Sequence, residues 1–469
     1  MTGIKSFARI AAVTLLVAAL AVPSFAARGT ADFTRFVALG DSYGAGFEAG
    51  SLNQRHQPFG WPAIIARQVG LQICPPTASA ADNCFAIPLI SNPGLPGAEL
   101  TFNGSTLVTP PGTGVPLMLN FGRPYNNLSV PGYTVGAAQA LTGAEGAAAG
   151  LGQVILRGLG TEVQQAIALH PTFIAIWLGG NDFLGAVSAG DPTKLTPVNT
   201  FTAQYNALLD ALIAGAPNAG MVVGNLPANF ATAPLTARLP AVVFDSNFQP
   251  VVVGGNQIPL FYLPAGSTTP AAVPAGSIFL LSALSRYQQG FGLPPNLKTV
   301  PPFSLLPHTG EPLTDAEIIT PAEQKVFSDT ITAYNAAINA AASSRNIPVA
   351  DVKGLFDRMA TGTVISVGGI TLTNTWISGG LFSNDGVHLT DIGYTLMANE
   401  FIKAINSGYN TEIPLASVTA TFQNNGQFTG FGDNKGYAII SPEAAEAMTS
   451  VLNSVEVPAP APPRRRVHH

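Results

Sequence analysis

Short apolar runs alternate along the chain with longer segments in which apolar residues recur every three or four positions. Continuous apolar runs bounded by Gly or Pro are typical of buried strands, and the longer amphipathic segments are typical of helices. The predicted strands cover residues 35–39, 127–130, 172–178, 220–224 and 347–351. The predicted helices cover residues 61–69, 161–169, 201–214, 321–344 and 389–405, the last capped by Thr390.

This alternation indicates an α/β fold with a parallel sheet and helices on both faces. In such sheets, functional side chains lie at the carboxyl ends of the strands. Gly40-Asp41-Ser42 and Gly179-Gly180-Asn181-Asp182 each follow a predicted strand directly. We therefore expect both segments to contribute to one site.

Two Pro- and Gly-rich stretches interrupt the pattern and show no clear period. We predict one domain over residues 32–410 with irregular inserts at about 47–125 and 228–312. Within the first insert, residues 71–125 are expected to form loops outside the core.

The N-terminus has the layout of a secretory signal peptide. Lys5 and Arg9 form a basic segment, an apolar run follows from Ile10 to Val22, and small residues follow at Pro23–Ala27. The apolar run is short for a membrane span, although an uncleaved N-terminal anchor is the alternative. We expect residues 1–26 to be removed and the protein to be exported, to the periplasm or outside the cell, with no other transmembrane segment.

The pattern weakens beyond residue 410. We predict a C-terminal extension over 411–455, with a helix opened by Ser441, and a Pro/Arg-rich tail over 456–469. Arg464-Arg465-Arg466 in this tail is the only basic run, charged residues make up 10% of the chain, and the formal net charge is −5. Without a basic stripe, nucleic-acid binding is not expected.

The chain has two cysteines, Cys74 and Cys84. In an exported chain, such a pair favours one disulfide closing a short loop. A metal site would need further ligands, and the segment has no histidine. We therefore expect neither a metal nor another cofactor.

Ser42 is the candidate nucleophile for ester cleavage. It follows a predicted strand and precedes Tyr43-Gly44-Ala45-Gly46, where small residues permit the sharp turn that exposes a hydroxyl. Gly-Asp-Ser also occurs in ordinary loops, so the motif alone leaves that alternative open.

His388 is the candidate general base, because Asp385 precedes it by three residues and Gly386 permits a tight turn between them. The carboxylate could then orient the imidazole and stabilise its protonated form. The alternative is a capping aspartate beside a surface histidine. The other histidines lack an acid placed to orient them, lie in the tail, or end a predicted helix: His56, His170, His308, His468 and His469.

Three groups are candidate donors to the oxyanion of an ester transition state. They are the amide of Ser42, the amide of Gly132, which has no side chain to block a substrate, and the side-chain amide of Asn181. For Asn181, an Asx turn within its own loop is the alternative.

These segments together resemble the SGNH/GDSL hydrolases. Gly40-Asp41-Ser42-Tyr43 is similar to the first sequence block of that family and Gly132 to the second. Gly179-Gly180-Asn181-Asp182 is similar to the third block and Asp385-Gly386-Val387-His388 to the last. The resemblance covers residues 34–46, 126–225 and 320–410.

The resemblance implies a flavodoxin-like three-layer α/β/α sandwich and a serine esterase or lipase that forms an acyl-enzyme. Ser42, His388 and Asp385 would be catalytic, and Ser42, Gly132 and Asn181 would form the oxyanion hole. Tyr43 stands where the family usually has leucine and could narrow the cleft. Leu389 stands where proline often follows the histidine.

Three other interpretations remain open. Gly40–Gly44 also satisfies the Gly-x-Ser-x-Gly elbow of α/β-hydrolases, but too few residues precede it for the strands that come first in that fold. A non-catalytic binding module of the same fold would be expected to lack one of the site residues. Within the family, a carbohydrate acetylesterase is the alternative to a lipid or acyl esterase.

Apolar runs in the second insert, Ile258–Tyr262 and Ile278–Leu281, favour a small-molecule ester or lipid substrate if they line a cleft. They could equally pack the insert onto the domain. The natural ester and the oligomeric state do not follow from the sequence.

Overall fold

The computed structural model describes most of the chain from residue 27 onwards. The predicted signal peptide, the helix predicted from Ser441 and the C-terminal tail lie outside the described residues. The described residues are 27–103, 106–228, 239–243, 250–280, 283, 286–287, 289–293, 309–361, 365–367, 370–376, 379–424 and 439–440.

All five predicted helices are present within a few residues of their predicted bounds, whereas shorter helices such as Asn181–Ser188 and Val352–Ala360 were not predicted. Thr390 caps the helix that begins at Asp391 by accepting a hydrogen bond from the amide of Gly393. In chain order the helices are α1 (Ser42–Ala45), α2 (Trp61–Gln68), α3 (Ala137–Ala140), α4 (Gly152–Ile155), α5 (Glu162–Ala168), α6 (Asn181–Ser188), α7 (Val198–Gly215), α8 (Pro321–Ser343), α9 (Val352–Ala360), α10 (Asp391–Tyr409) and α11 (Val418–Asn424). Short 3₁₀ turns lie at Gln57–Phe59, Gly146–Ala149, Pro192–Lys194 and Asp315–Glu317.

The three longest strands were predicted from the apolar runs, whereas the strand predicted at 347–351 is confined to Val349–Ala350. In chain order the strands are β1 (Phe36–Gly40), β2 (Thr101–Phe102), β3 (Thr106–Val108), β4 (Phe173–Trp177), β5 (Gly220–Gly224), β6 (Leu239–Pro240), β7 (Val252–Val253), β8 (Asn256–Gln257), β9 (Phe261–Leu263), β10 (Ala271–Ala272), β11 (Ile278–Phe279), β12 (Leu313–Thr314), β13 (Ile318–Ile319), β14 (Val349–Ala350), β15 (Ile365–Val367), β16 (Ile370–Leu372) and β17 (Ile439–Ile440).

The central sheet is parallel, with strand order β1-β4-β5-β14. Every residue of β1, β4 and β5 is buried. Continuous apolar strands of this kind occur where helices cover both faces of a parallel sheet. Gly40 at the end of β1 pairs with Trp177 at the end of β4, so the segments that follow these strands emerge side by side.

The predicted strand at 127–130 extends this sheet only as an irregular edge. It runs parallel to β1, where the amide of Leu128 donates to the carbonyl of Ala38 and the amide of Val130 to that of Gly40. Pro131 has no amide hydrogen and ends the pairing. Gly132 therefore emerges at the same edge of the sheet.

Helices flank the sheet in two groups, which confirms the three-layer α/β/α fold. In one group α7 packs against α5 and α8, and Phe201 stacks on Tyr334 with ring centroids 4.0 Å apart. In the other, α10 packs against α2, β5 and β14, and Trp61 stacks on Phe401 with centroids 4.2 Å apart.

Residues 71–125 contribute to the core, so the expectation that this part of the first insert lies outside it is wrong. Phe85, Ile87 and Ile90 are almost fully buried, and Phe85 stacks on Phe36 of β1 with ring centroids 5.2 Å apart. Irregular backbone gives buried side chains no fixed spacing, so periodicity could not identify them.

No helix among the described residues is long and apolar enough to cross a membrane.

Candidate active site

Ser42 is the first residue of α1, at the sharp turn that follows β1 (the serine turn). Asp41 caps the helix, since its carboxylate accepts a hydrogen bond from the amide of Tyr43 at 3.0 Å. Gly44 is required here, because a Cβ at this position would clash with the side chain of Ser129. Small residues thus permit the sharp turn that the sequence predicted, although Ser42 itself is only 6% exposed.

Asp385 and His388 lie in one buried loop, as predicted. Gly386 between them has φ 72°, which favours glycine and lets the chain fold back. The imidazole Nδ1 of His388 lies 2.8 Å from a carboxylate oxygen of Asp385. The structure therefore brings this predicted pair together.

Both carboxylate oxygens of Asp385 accept hydrogen bonds. The amides of Val387 and His388 donate to one oxygen, and the hydroxyl of Ser383 donates to the same atom. The amide of Gly50 donates to the other oxygen at 2.8 Å. Burial alone would raise the pKa of Asp385, but the charge of His388, the hydrogen bond to its imidazole and the amides of Val387 and His388 lower it to about 2.

The remaining ring nitrogen of His388, Nε2, is buried and has no hydrogen-bond partner among the described residues. Because Nδ1 faces the carboxylate of Asp385, Nδ1 carries the hydrogen of the neutral imidazole. Nε2 then has a lone pair that can accept a proton. This is the state that a general base requires.

Tyr43 connects the serine turn to the histidine loop. Its hydroxyl donates to the carbonyl of Val387 at 2.7 Å, and its ring lies 5.5 Å from that of His388. Tyr43 is buried, so its described contacts position the histidine loop. Phe47 packs on the same imidazole with ring centroids 4.8 Å apart.

The three predicted oxyanion donors follow neighbouring segments at the carboxyl edge of the sheet. Among the described residues, neither the Ser42 amide nor the Gly132 amide donates a hydrogen bond. Asn181 begins α6, and its side-chain amide donates to the carbonyl of Tyr133 at 3.1 Å. This bond uses one of the two amide hydrogens and holds the side chain in place.

Three carboxyl groups are buried beside the serine turn: Asp41 and Asp182, which belong to the predicted site segments, and Glu162, which the sequence did not indicate. Burial raises the pKa of Asp41 to about 8 and that of Asp182 to about 6. Burial also raises the pKa of Glu162, whose carboxylate accepts a hydrogen bond from the amide of Gly40. In the sequence, Glu162 resembles an ordinary first-turn residue of a helix, so no signal distinguished it.

His56 also has acidic partners, so the expectation that no acid is placed to orient it is wrong. Its Nδ1 lies 3.1 Å from Asp391 and 3.3 Å from Glu48, and its Nε2 lies 3.3 Å from Glu99. Asp391 and Glu99 are remote from His56 in sequence, so a local sequence pattern could not place them beside it. His308 lies outside the described residues.

Cys74 and Cys84 are joined by a disulfide in the first insert, with an S–S distance of 2.04 Å. The pairing is the one that the sequence predicted.

Solved structures that are similar to this chain include a phospholipase, a carbohydrate esterase and a lipase/acylhydrolase, all at low sequence identity. Phospholipase A1 from Streptomyces albidoflavus NA297 is 13% identical, covering 81% of this chain and 100% of its own, with a TM-score of 0.31. A family 3 carbohydrate esterase from Clostridium thermocellum is 12% identical, covering 79% and 93%, with a TM-score of 0.30. The lipase/acylhydrolase from Enterococcus faecalis is 12% identical, covering 81% and 100%, with a TM-score of 0.31.

Curated protein sequences give no match to this chain. Residues 36–401, which contain Ser42, Gly132, Asn181 and His388, match the GDSL-like lipase/acylhydrolase family. The chain therefore belongs to this family of ester hydrolases.

Proposed function

We propose that this protein is an exported serine esterase in which Ser42, His388 and Asp385 form the catalytic triad. The observation that carries the proposal is the environment of the two ring nitrogens of His388. Asp385 holds one nitrogen at 2.8 Å, and the other is buried without a partner among the described residues, in a loop anchored to the serine turn.

In the proposed reaction, the Ser42 hydroxyl attacks the ester carbonyl and gives its proton to Nε2 of His388. The resulting oxyanion accepts hydrogen bonds from the amides of Ser42 and Gly132 and from the side chain of Asn181. The tetrahedral intermediate then expels the alcohol, which takes the proton from His388 and leaves an acyl-enzyme. Water, deprotonated by His388, releases the carboxylic acid and restores Ser42.

We propose lipid or short-to-medium acyl esters as substrates, because apolar runs of the second insert, Ile258–Tyr262 and Ile278–Leu281, would suit an acyl chain where they line a cleft. Leu260 and Leu280 of the second insert are buried, which favours a packing role for these two side chains. Acetylated carbohydrate therefore remains the alternative substrate class, and a non-catalytic binding module is the alternative outside catalysis.

The test is hydrolysis of p-nitrophenyl esters from acetate to palmitate by the purified protein. Ser42→Ala should lower turnover by at least about 10³-fold while thermal unfolding stays nearly unchanged. Ser328→Ala, which changes an exposed serine of α8, is the matched control and should keep full activity. Normal turnover in Ser42→Ala would exclude this nucleophile, and an optimum at acetate alone would favour the carbohydrate esterase.

Export is supported by the pattern of residues 1–26 and by the Cys74–Cys84 disulfide, since such bonds persist in oxidising compartments. Expression of the full-length chain in a Gram-negative host should give a processed protein in the periplasm or medium. An intact N-terminus in the cytosolic fraction would contradict export.

A further inference from the structure

A second buried histidine lies behind the proposed catalytic loop, within a cluster of three carboxylates. The side chain of His56 is 7% exposed, that of Asp391 0%, and those of Glu48 and Glu99 12% and 13%. Nδ1 of His56 faces Glu48 and both oxygens of Asp391, whereas Nε2 faces Glu99.

We infer that Glu48, His56 and Asp391 bind one divalent cation, with Glu99 orienting His56 from its other nitrogen. Potential ligand atoms of the three residues lie within 4.8 Å of one another. Ligands about 2.1 Å from a common ion are separated by about 3.0–3.4 Å in octahedral or tetrahedral geometry. The observed 3.1 and 3.3 Å separations from Nδ1 match that spacing.

The position of Glu99 supports this assignment. A metal-bound histidine commonly donates its second ring N–H to a carboxylate, which fixes the tautomer and strengthens the ligand. Nε2 lies 3.3 Å from Oε1 of Glu99, and a hydrogen bond formed there would leave the lone pair of Nδ1 directed towards Glu48 and Asp391. The carboxylate oxygens that face His56, Oε2 of Glu48 and Oε1 of Glu99, are buried without a hydrogen bond among the described residues.

The charges of the cluster also favour a cation. Three carboxylates surround one imidazole, and the guanidinium of Arg67, which interacts with the charge of Asp391, is hydrogen-bonded to the carbonyl of Pro58. A divalent cation bound among these buried carboxylates would balance their negative charge.

One nitrogen and several carboxylate oxygens suit Zn²⁺ or Mn²⁺, whereas Ca²⁺ favours six to eight oxygen ligands. The proposed metal site is separate from the proposed catalytic centre, but the same segments of the chain carry residues of both. Asp391 follows His388 by three residues, and Glu48 follows Phe47, whose carbonyl accepts a hydrogen bond from Tyr394 of α10. A bound ion would therefore tie the start of α10 to the segment after Ser42.

The test measures metal content and thermal unfolding of the full chain after treatment with chelator and addition of Zn²⁺, Mn²⁺ or Ca²⁺ separately. We expect about one equivalent of Zn²⁺ or Mn²⁺ per chain after desalting, and a rise in Tm of about 2–6 °C. Glu48→Gln and Asp391→Asn should lose both effects. Asp329→Asn, which removes an exposed carboxylate from α8, should keep them.

Wild-type protein that is folded, retains no ion and shows no rise in Tm with any of the three would overturn the inference, whether or not the variants fold. Equal binding by Asp329→Asn and Glu48→Gln would also overturn it. These readouts do not depend on ester hydrolysis, so the inference and the proposed function can fail separately.

Discussion

His388 and His56 are both buried, and each has an aspartate at Nδ1, 2.8 Å away for His388 and 3.1 Å for His56. They differ at Nε2, which lacks a partner among the described residues in His388 and faces Glu99 in His56. A general base needs a lone pair that no other group occupies, so a neighbouring aspartate does not by itself identify one. The environment of the second nitrogen distinguishes the proposed catalytic histidine from the proposed metal-binding one.

The largest effect is expected from His388→Gln. Loss of the base should lower kcat/KM for a p-nitrophenyl ester by at least about 10³-fold, with little change in Tm. His170→Asn is the control, because His170 is exposed and asparagine tolerates its positive φ of 47°. A small loss in His388→Gln, or a comparable loss in the control, would break the distinction between the two histidines.

Asp385→Asn should lower kcat by about 10²–10⁴-fold, because an amide cannot stabilise the imidazolium and can favour the wrong tautomer. Its pH dependence gives a second readout. The lowered pKa of Asp385 stabilises the wild-type fold above pH 3.8, and this contribution is lost as the pH falls towards 2. Acid denaturation should therefore show a weaker pH dependence in the variant. An unchanged kcat would contradict the proposed role.

How well each histidine could be predicted depended on sequence distance. Asp385 and His388 are three residues apart, so a local turn sufficed to pair them. His56 and Asp391 are 335 positions apart, and only the folded chain brings them together. The same holds for Tyr43, whose hydrogen bond to Val387 spans 344 positions. The central strands were predictable because both faces are buried and their apolar runs are continuous.

His56→Gln should act mainly on stability. Glutamine would leave Glu48, Glu99 and Asp391 without either a protonated imidazole or a complete cation site, at a cost of about 2–4 kcal/mol in the free energy of unfolding. Urea denaturation measures this loss, and kcat/KM of the folded fraction should fall less than in His388→Gln. If His56→Gln instead abolished turnover without destabilising the protein, His56 would belong to the catalytic machinery.

The smallest expected effect concerns Asp41, a carboxyl group with the opposite shift to Asp385. The folded protein holds the Asp41 proton more tightly than the unfolded chain, since burial raises its pKa from 3.8 to about 8. This contribution to the free energy of unfolding is complete below pH 3.8 and is lost as the pH rises through about 8.

Asp41→Asn removes the titration and can still cap α1. The fall in unfolding free energy between pH 6 and 8 should therefore be about 2 kcal/mol smaller in Asp41→Asn than in wild type or Asp329→Asn. Urea denaturation at both pH values measures it, and identical falls in all three proteins would show that Asp41 is ionised at pH 6 in the folded state.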